Sequence, residues 1–130
     1  MALERANALR LKSFELIEED AQAYIAFVDA VRSQEDVETA RARTIEVPLR
    51  MTRAAAEVVG LAVQLAKNGN PNLRADAVVG ATLAAAAADA GLTLIEVNIG
   101  QGVADARLDE ARTLARQAGE SARSLRSRDS

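Results

Sequence analysis

Four ionisable side chains, Asp20, Asp76, Arg50 and Arg53, are placed where they could do chemistry. Asp20 interrupts an otherwise apolar line of Leu16, Ala23 and Phe27, spaced as one helical face. At 100° per residue it lies about 40° from Tyr24, inside the arc expected to face a core, while Glu19 points to the far side and Glu18 to the margin. A carboxylate in an apolar arc is costly unless paired, and burial of a carboxyl suits it to acid–base work. An ion pair with an arginine of a neighbouring helix is the alternative for Asp20. Asp76 falls in the first turn of a later helix, where the helix dipole already favours an acid. Arg50 and Arg53 flank the start of another helix and could receive a carboxylated ligand, or simply form a solvated face.

Few other groups are available. Among 130 residues there is no cysteine and no histidine, which removes disulfides, thiolate nucleophiles, Ser-His-Asp catalysis and most transition-metal sites. Proton chemistry then falls to carboxylates, Tyr24, or Lys12 and Lys67. The net charge of −3 argues against nucleic acid as the main partner. No glycine-rich phosphate loop is present. The N-terminus lacks a continuous apolar secretory segment, and no window reads as ~20 uncharged apolar residues, so a soluble cytoplasmic chain without a membrane partner is expected.

The elements that must position these groups are helical. Two prolines and seven glycines leave too few turn signals for an all-β sandwich. Residues 3–32 contain neither Gly nor Pro, and Phe14, Ile17, Ala21, Tyr24, Val28 and Val31 step by helical spacing. Ser33 offers an N-cap for a minor, charge-rich helix ending near Thr44. Pro48 fits the first turn of a third helix with an apolar line of Ala55, Val59, Ala62 and Ala66, stopped by Gly69. After the turn GNPN (69–72) a fourth helix, with Asn72 as candidate cap, carries Val79, Leu83, Ala86 and Ala90 and continues through residues 92–100. A last helix repeats Ala104, Leu108, Ala111, Ala115, Ala118, Ala122 and Leu125 as a heptad seam, with a fraying tail SLRSRDS. The expected architecture is all-α, one domain over 1–130, an antiparallel bundle of four main helices plus one minor helix.

The stretches LIEEDAQAYIAFVDAVR (16–32), VPL (47–49), GNPNLRADA (69–77) and EVNIG (96–100) follow one another in an order and spacing that resembles the C-terminal family of formiminotransferase-cyclodeaminases. This family includes formiminotetrahydrofolate cyclodeaminases and methenyltetrahydrofolate cyclohydrolases. The resemblance implies an all-helical homodimer or higher homo-oligomer, with a tetrahydrofolate derivative as substrate in a groove near the subunit interface and no metal. It implies catalytic acid/base work for Asp20, which matches the acid of the D-A-x-A-[FY] stretch. Asp76 matches the acid after the GN turn, near the groove, and Arg50 and Arg53 are candidates for binding the folate.

The family's glycine-rich N-terminal segment has no counterpart here, so the chain reads as short at that end. The implied activity is a hydrolase (cyclohydrolase) or an ammonia-lyase (cyclodeaminase). With no fused formiminotransferase domain in these residues, the stand-alone cyclohydrolase is favoured. The alternative is a non-catalytic helical oligomerisation module derived from this family.

Overall fold

Long segments without Gly or Pro let helices run until a turn residue stops them. A computed structural model describes residues 1–127 and has four long helices. These are α1 (Ala2–Ser33), α2 (Val37–Asn68), α3 (Arg74–Ile99) and α4 (Ala106–Ser127), with a 3₁₀ turn at Pro71–Leu73 ahead of α3. Among the described residues there is no strand. Successive helices run antiparallel; α2, α3 and α4 pack mutually, and α1 lies against α2. The tail expected to fray stays helical to Ser127, and residues 128–130 lie outside the described residues.

The minor helix and the third helix of the sequence reading are one continuous α2, so Pro48 lies in a helix interior rather than in a first turn. A proline there removes the bond to the carbonyl four residues earlier, at a cost of about 3 kcal/mol or more. That carbonyl belongs to Thr44, and the side-chain amide of Asn98 donates to it at 2.6 Å. A donor from α3 thus replaces the one Pro48 lacks. Nearby, the buried Thr52 hydroxyl donates to the Pro48 carbonyl at 2.9 Å. Gly91 of α3 lies directly against this turn, where a Cβ would overlap the Thr52 hydroxyl and sit 3.2 Å from the Pro48 carbonyl oxygen. These contacts fix α3 on α2.

Caps also differ from expectation. Ser33 ends α1, its hydroxyl donating to Ala30, and Gln34 and Asp36 make the turn with positive φ. Gly69 does stop α2, in extended backbone with φ of −88°. It is Asn70, not Asn72, that caps: its side chain accepts the Asn72 N–H ahead of the 3₁₀ turn. The α4 seam is buried from Leu108 to Leu125, but Ala104 precedes the helix and is exposed. Asp105 begins α4 by accepting the Arg107 N–H at 2.8 Å.

The largest difference concerns which faces are buried. On α1 the buried line is Leu9, Leu16 and Ala23, the last two packed with Val47 and Met51, whereas Phe14, Ile17, Tyr24 and Val31 are half or more exposed. On α3 the small residues Ala81, Ala84, Ala85, Ala88 and Gly91 face inward, and Val79 and Leu83 face out. Small residues allow close helix approach, and in both helices the apolar arc is wider than the neighbours cover. By length and composition Pro71–Ile99 is apolar enough to cross a membrane, more than the window reading indicated, but it is here a helix packed on α2 and α4.

Candidate functional site

A groove of about 470 Å³ opens where the first turns of α1, the last turns of α2 and the first turn of α3 meet. Its α1 wall includes Ala6, Leu9, Arg10 and Ser13, its floor Val58, Leu61 and Leu65, and its far wall Leu73 of the 3₁₀ turn with Asp76 and Gly80 of α3. Residues seven apart on a helix differ in direction by only about 20°. Asp20 is therefore the heptad successor of Ala6 and Ser13, and Ile17, Tyr24 and Val31 succeed Arg10. On α3, Leu83 succeeds Asp76, and Ala87 and Leu94 succeed Gly80. Asp20 thus follows, one heptad on, the α1 residues that line the groove.

Asp20 is half-buried on this line, between the buried Leu16 and Ala23. No cation or hydrogen-bond donor among the described residues reaches its carboxylate, so the structural ion pair weighed from the sequence does not form. Asp76 is exposed on the groove's far wall, also without a hydrogen-bond or ion-pair partner among the described residues. The two acids do not meet: Asp76 lines the groove and Asp20 does not. Asp76 is level with the α1 residues around Leu9 and Arg10, and Asp20 lies some ten residues further, roughly 15 Å at 1.5 Å per residue.

The arginines are engaged elsewhere. Arg50 holds Glu19 through both carboxylate oxygens, and Lys12 adds a contact at 3.6 Å. Glu19, read from spacing as pointing away, is therefore turned toward α2. The Arg50 hydrogen bond holds the Glu19 carboxyl below the usual range, against a smaller effect of desolvation. Arg53 grips Glu110 of α4 at 2.7 and 2.8 Å and touches Glu46 at 3.5 Å. Its guanidinium is raised by the bond to Glu110. Both forks are thus occupied by carboxylates of the same chain.

Arg10 and Ser13 went unnoticed in the sequence reading. The signal available was the heptad step from Arg10 to Ile17 and Tyr24, which places a cation at the head of an apolar row. A larger hollow, about 640 Å³, lies at the α3–α4 turn, but its charged pair, Glu96 and Arg112, is mutually bonded at 3.4 Å. No cluster of three metal-ligating side chains occurs among the described residues.

Comparison with known proteins agrees with the resemblance. The family model for formiminotransferase-cyclodeaminase matches residues 1–117. The chain belongs to this family, whose setting is folate one-carbon metabolism. No curated protein matches it in a direct sequence search.

Proposed function

We propose that this member of the formiminotransferase-cyclodeaminase family carries out one-carbon folate chemistry, with Asp20 as general acid/base. The observation that carries the reading is the state of Asp20: a half-buried carboxylate one heptad beyond the groove-lining Ser13, with no structural bond to satisfy it. A group left unpaired in such a place is available to a substrate.

In the cyclohydrolase reaction, water adds to the methenyl carbon bridging N5 and N10, and Asp20 takes the water proton as the C–O bond forms. The same carboxyl then gives its proton to the departing ring nitrogen while the carbinol hydroxyl loses its own to solvent. The net result is one water consumed and one proton released. In the cyclodeaminase reaction N10 attacks the formimino carbon and Asp20 protonates the leaving ammonia. One positioned carboxyl supplies roughly 10²–10⁴-fold in either case. The folate is the substrate, and no metal enters the scheme. The exposed rows on α1 and α3 support a homodimer or larger homo-oligomer as the working unit. The same rows favour a second reading, a non-catalytic oligomerisation module.

Asp20→Asn keeps the shape and removes the titrating proton. Hydrolysis of methenyltetrahydrofolate is expected to fall at least ~10²-fold while the circular dichroism spectrum stays helical. A folded Asp20→Asn chain as active as the parent overturns the catalytic role. A parent chain with no turnover favours the oligomerisation module.

A further inference from the structure

The groove is apolar except for a few side chains, two of them already bonded. Ser13 donates its hydroxyl to the Leu9 carbonyl, and Asn70 accepts from the Asn72 N–H. Two charged groups remain, Arg10 on α1 and Asp76 on α3, and neither has an ion pair among the described residues. A carboxylate offers only acceptors, so the wall able to receive an anion is that of Arg10. The neighbouring cations of α1 are engaged: Arg5 with Glu57, and Lys12 with Glu15 and Glu19. A free guanidinium at the rim of an apolar groove is suited to a ligand with a flat apolar body and a terminal carboxylate.

The spacing along α1 selects among such ligands. Arg10 and Asp20 are ten residues apart, roughly 15 Å of helix rise. A p-aminobenzoyl-glutamate arm, counted from the nitrogen at the reacting centre, extends roughly 10–12 Å to its carboxylates at about 3.5 Å per three bonds. The reach of the arginine side chain covers the remainder.

The geometry points to Arg10 as the residue that binds the glutamate carboxylate of the substrate, with the p-aminobenzoyl ring lying on Leu9, Leu61 and Leu65. This rests on the folate reading above and adds to it a direction: the tail toward the first turns of α1, the one-carbon centre toward Asp20. Arg10 is then a specificity-determining residue rather than a catalytic one. It orients the arm and leaves the proton transfers to Asp20.

The test uses the whole chain and two probes without a pterin ring, p-aminobenzoyl-glutamate and p-aminobenzamide, by isothermal titration calorimetry. The parent is expected to prefer the glutamate-bearing probe about tenfold, a preference that weakens with added salt. Arg10→Gln removes the preference and leaves the benzamide affinity unchanged. Arg32→Gln, on the same helix but outside the groove, leaves both unchanged. A parent with no glutamate preference, or an Arg10→Gln chain that retains it, overturns the assignment. Turnover measured on the parent is the separate readout of the catalytic reading. Glutamate preference without turnover retains the Arg10 site and removes the enzyme. Turnover without the preference does the reverse.

Discussion

Replacing Gly91 by alanine should destabilise the chain, although alanine is the better helix former. The gain in helix propensity is about 1 kcal/mol. Against it, the new Cβ would overlap the Thr52 hydroxyl, with the Pro48 carbonyl oxygen at 3.2 Å and the Thr52 Cβ at 3.4 Å. Thr52 is fully buried and anchored by its bond to the Pro48 carbonyl, and that carbonyl belongs to helix backbone that cannot move aside alone. Overpacking costs about 1–3 kcal/mol and displacing the hydroxyl from its acceptor about 1 more. The net loss is about 1–3 kcal/mol, and for a domain of this length each kcal/mol moves Tm by roughly 3–6 °C. In a Thr52→Ala background the worst overlap, with the hydroxyl, is gone, while the 3.2 Å approach to the Pro48 carbonyl oxygen remains. There Gly91→Ala should cost clearly less than in the parent. Thermal melts of the parent, the two single variants and the double variant read the coupling directly. An equal effect of Gly91→Ala in both backgrounds would refute the close approach of α3 to α2 at this turn.

Two further outcomes follow from the surface and the caps. The parent should scatter light as a multiple of its 13.8 kDa chain at micromolar concentration, and Leu83→Glu should shift it toward the single chain; a parent already monomeric ends that reading. Asp105 caps α4, and the hydrogen bonds from the Arg107 side chain and backbone lower its pKa from 3.8 to about 2. Because the folded pKa is depressed, its stabilisation is complete above about pH 4 and is lost as the pH falls toward 2. Asp105→Ala should therefore cost about 1 kcal/mol in urea melts at pH 6 and far less at pH 2; equal costs at the two pH values would disprove the cap's charge dependence.

The helical class was legible because it depends on local rules. Absence of Gly and Pro over residues 3–32 and the heptad from Leu108 to Leu125 need no distant partner to be read. What escaped was every feature set by a residue far along the chain. Pro48 looks like a helix start because the donor that replaces its missing N–H, Asn98, is fifty residues away. Arg50 and Arg53 look free because Glu19 and Glu110 lie 31 and 57 residues distant. On α1, periodicity defines an apolar arc but not which part of it meets α2. The line through Phe14, Ile17 and Tyr24 is as regular as the one through Leu16 and Ala23, and only packing chooses between them.

The residues that carry the family resemblance separate into two kinds once their contacts are known. VPL and EVNIG, read as independent motifs, meet each other: Asn98 of the second completes the helix that Pro48 of the first interrupts. In GNPN the Asn70 side chain closes the turn on the Asn72 N–H. These side chains are spent on the fold, and removing any of them should be felt as stability. Asp20 and Asp76 come from the same matched stretches, yet neither makes a hydrogen bond or ion pair among the described residues. A carboxylate half-buried beside Leu16 and Ala23 without a partner is a cost to folding that a leucine or alanine would not incur. In the proposed function a bound substrate supplies the missing bonds, with Arg10 holding its far end in the groove.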